Sequence, residues 1–162
     1  MGRRASGPEH VAALPRSDNV TGAFPPAANR YPNPLKLHLD RFEGLNAFSG
    51  YGDGYVVVNQ RRHVTSLVVL PDRLIDPWPP RTAADLTVDS FAALEPLPME
   101  ILLVGTGARP HLLHPRLTAG LSARRIGVET MDTRAACRTY NILLAEGRKV
   151  AAALVVEPVP AP

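Results

Sequence analysis

The feature that most constrains this fold is the apolar run Ile101-Leu102-Leu103-Val104, which ends at Gly105-Thr106-Gly107. An unbroken apolar run closed by glycine predicts a strand that is buried on both faces and opens into a tight turn. In open α/β sheets, ligands bind beside the carboxyl ends of the strands. We therefore predict that this run lies at the centre of a sheet and that its glycines border any pocket.

The residues after this run alternate between helix and strand patterns. The predicted elements are strand 101–104, helix 116–125, strand 127–131, helix 134–146 and strand 150–156, a β-α-β-α-β half. Asp132 or Thr133 suits the N-cap of the longer helix, and Gly147 suits its stop. Crossovers of this kind are nearly always right-handed and favour parallel neighbouring strands.

A β-meander pattern precedes this half, over residues 46–70. Two β-prone runs flank Gly52-Asp53-Gly54, which is a strong signal for a hairpin. A further turn is predicted at 59–62 and a strand at 64–70, and alternating leucines predict a short strand over 35–39. The predicted fold class is therefore α/β, with a mixed sheet and an N-terminal β-meander followed by the β-α-β-α-β half.

Proline and charge divide the chain into unequal parts. Residues 1–34 hold six of the 17 prolines and a net charge of +2, whereas residues 35–162 have a net charge of only +1. We predict a disordered Pro-rich tail at 1–34, a single α/β domain at 35–157 and a short flexible C-terminus at 158–162. The tail is either a dispensable extension or a partner-docking arm. A nearly neutral folded part argues against nucleic-acid binding.

The location of the protein is predicted from what the sequence lacks. No apolar run approaches the roughly 20 residues of a membrane span. Met1-Gly2-Arg3-Arg4 is followed by no apolar core of a signal peptide, and prolines oppose the amphipathic helix of a transit peptide. A single cysteine excludes an internal disulfide. We predict a soluble, cytoplasmic protein.

Cofactor sites are weakly indicated. Gly105-Thr106-Gly107 begins like a dinucleotide fingerprint, and Glu129 could supply its ribose-binding acid, but Pro110 stands where the third glycine belongs. His111 and His114 have no further ligands nearby in the sequence. We therefore predict neither a cofactor nor a metal.

Two other side chains have alternative interpretations. Trp78 lies between two prolines and either anchors its loop on the core, which we favour, or is exposed for a partner. Cys137 lies near the start of the long helix and is either a small packed group, which we favour, or a reactive thiol.

Polar residues gather at one strand-to-helix junction, and parallel pairing would bring it beside residues 105–110. Helix N–H groups at such a corner favour anions, while capping and internal salt bridging are the alternative explanation. The candidate binding residues of this cleft are Gly105, Thr106, Gly107, Arg109, Glu129, Asp132, Thr133, Arg138 and Asn141. No complete catalytic set is present.

The sequence also resembles a known family, at Leu-Val-Gly-Thr-Gly (103–107), Gly-Val-Glu-Thr-Met-Asp-Thr (127–133), Arg-Thr-Tyr-Asn-Ile-Leu (138–143) and Glu-Gly-Arg (146–148). It is similar to uncharacterised bacterial and archaeal relatives of mitochondrial respiratory complex I assembly factor 3, from about residue 35 to 156. The resemblance implies a three-layer α/β fold with a mixed central sheet, no established catalytic activity, and eukaryotic members that act through protein contacts.

Our leading hypothesis is a non-catalytic protein-interaction module that helps to assemble a membrane-associated complex, with an unidentified protein partner. The alternative is a small-molecule binding protein or enzyme that takes an anion or nucleotide in the cleft at 105–110 and 129–141. Nucleic-acid binding rests only on the arginines of the tail.

Overall fold

The computed structural model describes residues 42–162, which two sheets and three α-helices organise. The predicted tail at 1–34 and the predicted strand at 35–39 lie outside these described residues. The strands are β1 (Phe48–Gly52), β2 (Tyr55–Val58), β3 (Arg61–His63), β4 (Leu67–Leu70), β5 (Arg73–Ile75), β6 (Ile101–Gly105), β7 (Gly127–Met131) and β8 (Val150–Leu154). The helices are α1 (Val88–Ala92), α2 (Ala119–Ala123) and α3 (Thr133–Ala145), with short 3-10 helices at Ala83–Asp85 and Pro115–Thr118.

The larger sheet has five strands in the order β5-β4-β8-β6-β7. β6 is parallel to β7 and to β8, whereas β4 is antiparallel to β5 and to β8, so the sheet is mixed as predicted. β8 rather than β6 takes the middle position. β6 is an inner strand beside it, with Leu103 in register with Ala152 of β8 and Glu129 of β7.

The smaller sheet is the meander β1-β2-β3, and it is antiparallel throughout. The hairpin predicted at Gly52-Asp53-Gly54 is confirmed. The second turn is shorter than the predicted turn at 59–62. Within that range, Asn59 and Gln60 adopt positive φ, at +47° and +68°. Two consecutive residues of this kind make the tight turn that suits a hairpin, so β3 already begins at Arg61.

Two hydrophobic clusters hold three layers together. The first lies between the larger sheet and the layer formed by the smaller sheet and α3, and Phe48 meets Tyr140 edge to face inside it, with ring centroids 5.2 Å apart. The second lies on the opposite face, where Trp78 packs against Phe91 of α1. The three-layer α/β fold is therefore as predicted, and the indole does anchor its loop on the core.

The sequence predicts the longest helix accurately and two other segments less accurately. Asp132 caps α3, and the helix stops before Gly147. The helix predicted at 116–125 is divided into a 3-10 turn and the five residues of α2. The predicted connector at 71–80 contains β5, a short edge strand whose sequence has no alternation long enough to reveal it.

Candidate functional site

The parallel arrangement of β6, β7 and β8 brings the segments that follow them to one edge of the sheet. Thr106 N–H donates to the Met131 carbonyl at 2.9 Å, and Thr133 N–H donates to the Gly107 carbonyl at 2.9 Å. The turn after β6 therefore lies beside the start of α3. The two corners that the sequence analysis paired are adjacent in the structure.

The two threonines of this corner form hydrogen bonds within the chain. The Thr133 hydroxyl accepts the Gly107 N–H at 3.0 Å and donates to the Val155 carbonyl at 2.7 Å. The hydroxyl of Thr106, which is fully buried, lies 2.9 Å from the Arg109 carbonyl oxygen and 3.1 Å from that of Met131 at the end of β7. Both hydroxyls thus connect segments at the carboxyl ends of neighbouring strands. Their protons are engaged in these internal hydrogen bonds and are not available to a ligand.

The two glycines of the corner are required by close contacts. A Cβ on Gly105 would lie 2.7 Å from Leu154 Cδ2 and 2.9 Å from Thr133 Cα, so a side chain here would push α3 off the sheet. Gly107 has a φ of +100°, and a Cβ on it would lie 2.7 Å from the carboxyl carbon of Glu157. Close packing explains why glycine is needed at 105, and close packing together with a positive φ explains why it is needed at 107.

Three further predicted residues border the corner or lie outside it. Asp132 Oδ1 accepts the Ala135 N–H at 2.8 Å, which is the bond of a helix N-cap. Glu129 is exposed in the middle of the edge strand β7, and Arg109 is exposed on the loop after β6. Helix capping, which was the alternative to anion binding at this junction, therefore accounts for the contact that Asp132 makes.

Arg138 and Asn141 contact the smaller sheet instead of the turn after β6. Asn141 Oδ1 accepts the Phe48 N–H at 2.9 Å, and its Nδ2 donates to the Phe48 carbonyl at 2.7 Å. Arg138 Nη1 donates to the Tyr51 hydroxyl at 2.9 Å, and this bond raises the pKa of the guanidinium. These two side chains attach the hairpin to α3.

Cys137 is buried between the same elements. Burial raises the pKa of its thiol to about 12, so the sulfur carries its proton at neutral pH. A buried, protonated thiol is a poor nucleophile. This environment agrees with the favoured interpretation of Cys137 as a small packed group.

A cavity of about 330 Å³ lies beyond the carboxyl ends of β6 and β8, and we call it the hairpin groove. It is lined by residues 51–55, 107–108, 133–134 and 155–160. Of the predicted cleft residues, only Gly107 and Thr133 line it.

The sequence analysis missed the other groove residues, because they come from four separate segments of the chain. One available signal was the hairpin turn with a tyrosine on each side, Tyr51 and Tyr55. Tyr55 carries the guanidinium of Arg62 over its ring, 3.8 Å from the centroid. Arg134 forms an ion pair with Asp53 at the rim. The groove is thus bounded by aromatic rings and by charges of both signs.

Metal-ligand clusters and membrane-spanning helices were sought among the described residues. Within residues 42–162, no three His, Cys, Asp or Glu side chains converge as a metal centre requires. In the same part of the chain, none of the helices has the length and apolar composition that crossing a bilayer demands.

A family model matches residues 48–155, from the start of β1 to just beyond β8. Its description is "Protein of unknown function (DUF498/DUF598)". The chain belongs to this family. The DUF498/DUF598 match includes the hairpin, the larger sheet and α3, whereas residues 156–160 of the groove lie outside it. This match, together with relatives named as complex I assembly factor 3, confirms the resemblance seen in the sequence.

Several relatives are named as assembly factors. The chain is 35% identical over 129 residues to bovine NADH dehydrogenase [ubiquinone] 1 alpha subcomplex assembly factor 3, a match that covers 78% of this chain. It is 34% identical over 119 residues to an uncharacterised protein of Rhodobacter capsulatus, covering 72% of this chain and 90% of that protein. The chain spans only 64%, 50% and 52% of the lengths of the bovine, mouse and zebrafish assembly factors of this name.

A solved bacterial structure has the same fold. The crystal structure of a protein from Bordetella parapertussis superposes with a TM-score of 0.67 at 46% sequence identity. The superposition covers 70% of this chain and 98% of that one. The mixed α/β architecture is therefore shared with a bacterial protein over nearly its whole length.

Proposed function

We propose that this protein is a non-catalytic module that binds a protein partner during the assembly of a multi-subunit enzyme of the NADH dehydrogenase type. The names of the relatives support the assembly role. The proposal that the module is non-catalytic rests on one observation: the polar side chains of the corner form hydrogen bonds with the chain's own backbone. The hydroxyls of Thr106 and Thr133 and the carboxylate of Asp132 all bind backbone groups.

The hairpin supplies the surface that best suits a partner. Arg62 lies over the ring of Tyr55, and Arg138 binds the hydroxyl of Tyr51. Arginine and tyrosine are enriched among the residues that dominate binding energy at protein interfaces. Neither guanidinium forms an ion pair with a carboxylate of residues 42–162, so both remain available to acidic groups of a partner.

Affinity purification from native cells tests this function. The full chain should recover a reproducible partner, and a variant carrying Arg62→Ala and Arg138→Ala should recover less than about a tenth as much, since such residues each contribute about 1–2 kcal/mol or more. The matched control carries Arg73→Ala and Arg124→Ala, which remove two exposed arginines that pair with Asp72 and Glu95. Failure of the full chain to recover any partner would refute the function. Equal recovery of the partner by both variants would show that Arg62 and Arg138 do not belong to the binding surface.

The small-molecule alternative stays a prediction. An anion or nucleotide in the corner at 105–110 and 129–141 would have to compete with the internal hydrogen bonds of Thr106 and Thr133. Thermal unfolding of the wild type and of Arg109→Ala, which removes the exposed arginine on the loop after β6, distinguishes the hypotheses when it is measured with inorganic phosphate and with common nucleotides. A ligand-induced rise in Tm that Arg109→Ala abolishes would favour the alternative.

The cytoplasmic location and the domain limits at 35–157 also remain predictions. Expression of residues 35–162 should give one cooperative unfolding transition. Nucleic-acid binding that does not change on deletion of residues 1–34 would remove the only basis for that function.

A further inference from the structure

The chain's own residues 157–160 form part of the wall of the hairpin groove. Glu157 Oε2 accepts the Ala108 N–H at 3.3 Å, and its carboxylate lies against Gly107. Val159 covers Gly54, where an added Cβ would lie 2.6 Å from Val159 Cγ2. One polar contact and one apolar contact therefore hold this segment, which we call the groove segment.

The backbone beneath the groove segment is suited to receive an extended chain. Gly54 has a φ of +73° and Gly107 a φ of +100°, and neither carries a side chain that would keep a second backbone away. The order Glu-Pro-Val-Pro favours an extended conformation, because each proline fixes φ and lacks an N–H. Val159 is still 61% exposed, so the segment rests on the surface instead of being locked into the core.

The electrostatic environment explains why the groove segment begins with a carboxylate. Gly107 exchanges two hydrogen bonds with Thr133, the first residue of α3, so Glu157 lies near the amino-terminal end of a 13-residue helix. The positive end of the helix dipole stabilises an anion there. Asp132 already caps this end of the helix, so the carboxylate of Glu157 is favoured by the dipole together with the hydrogen bond that it accepts from the Ala108 N–H.

The groove keeps open space beside the groove segment. The cavity of about 330 Å³ has the groove segment, Tyr51 and Tyr55 among its lining residues. Aromatic side chains are the usual walls of grooves that bind proline-containing extended peptides. The remaining space admits a segment with larger side chains than Val159.

We propose that the hairpin groove is a recognition site for an extended partner segment in which an acidic residue precedes Pro-apolar-Pro, and that residues 157–160 are its internal competitor. The proposal rests on the proposed function, because such a segment would belong to the protein that is bound during assembly. A partner must displace Glu157 and Val159, so the apparent affinity is the intrinsic affinity multiplied by the fraction of time the groove is free of the groove segment.

Fluorescence anisotropy with a labelled synthetic peptide tests the proposal. The peptide has the sequence of residues 155–162, and the groove is emptied in the full chain by Glu157→Gly, Pro158→Ser, Val159→Gly and Pro160→Ser. The emptied chain should bind the peptide about tenfold more tightly than the wild type, because the tethered competitor is gone. A peptide with Glu157→Gln should bind about fivefold more weakly, because it loses the charge at the helix end.

Controls separate the possible outcomes. A scrambled peptide of the same composition should not bind, and thermal unfolding of the emptied chain should be cooperative. If the emptied chain does not unfold cooperatively, the single variant Glu157→Gln replaces it, and it too should bind the peptide more tightly than the wild type. Absence of peptide binding, equal binding to wild type and emptied chain, or equal binding of the scrambled peptide would each overturn the proposal. Since only this chain and a synthetic peptide are present, the result does not depend on the recovery of a partner from cells.

Discussion

Asn141 holds Phe48 by both of its backbone polar groups, across 93 positions of sequence. The amide oxygen accepts the Phe48 N–H, and the amide nitrogen donates to the Phe48 carbonyl. A side-chain amide can thus replace the neighbouring strand that β1 lacks at this position. This pair fixes the smaller sheet on α3 and, with it, the position of the hairpin groove.

Replacement of Asn141 should therefore weaken the fold. We expect Asn141→Ala to lower the free energy of unfolding by about 2–4 kcal/mol, because it leaves two partly buried backbone groups without their partner. Urea denaturation measures the effect. The matched control is Ile142→Ala, the adjacent residue on α3, whose side chain is 59% exposed. Equal losses for the two variants would contradict the role assigned to the amide.

Thr133 should contribute through its hydroxyl more than through its shape. Thr133→Val keeps the volume but removes both the acceptor for the Gly107 N–H and the donor to the Val155 carbonyl. We expect a loss of about 1–3 kcal/mol and faster hydrogen exchange of the Gly107 amide, measured by NMR. Thr133→Ser keeps the hydroxyl and should retain slow exchange. Unchanged exchange in the valine variant would show that the bond is unimportant.

Gly105 should not tolerate a methyl group. In Gly105→Ala the new Cβ would lie 2.9 Å from Thr133 Cα, which cannot move without displacing α3. We expect a loss of about 1–3 kcal/mol in urea denaturation, as for other overpacked cores. Gly127→Ala is the control, because its Cβ would meet nothing closer than the Glu100 carbonyl oxygen at 3.7 Å. Similar stabilities of the two variants would refute the close approach of α3 to β6.

Cys137 should make stability depend on alkaline pH. Its pKa rises from 9.0 to about 12 on folding, so the unfolded chain loses the thiol proton first. The contribution to stability is full below pH 9 and is lost as the pH rises from 9 towards 12. Urea denaturation between pH 8 and pH 10.5 should show this decline, and Cys137→Ala should show less of it.

The same thiol gives an independent labelling test. It is the only cysteine of the chain, so a thiol reagent reports on this position alone. The native protein at pH 8 should react far more slowly than the protein in concentrated urea. Fast labelling of the native state would contradict the burial of Cys137.

Local chemistry made part of the fold predictable from the sequence. Gly52-Asp53-Gly54 can hardly form anything other than a turn, and Asp132 with Gly147 delimits α3 because capping depends on residues close in sequence. The run 101–104 is buried on both faces as expected, with Leu103 in one hydrophobic cluster and Leu102 in the other.

Strand order and groove composition were not predictable, because both depend on contacts between distant segments. Nothing local in Ala151-Ala152-Ala153 states that β8 lies between β4 and β6. Likewise, Glu157 meets Ala108 across 49 positions, and Asp53 meets Arg134 across 81. Of the predicted cleft residues, Gly107 and Thr133 line the groove because the turn after β6 lies beside the start of α3, whereas Arg138 and Asn141 contact the smaller sheet.

The middle position of β8 has a consequence for biosynthesis. In the described sheet, β4–β5 and β6–β7 are joined through β8 alone. The ribosome releases this strand after all the others, so the nascent chain carries two half-sheets whose inner edges have no partner. Unpaired edges invite aggregation. The larger sheet can therefore be completed only once residue 154 has left the exit tunnel.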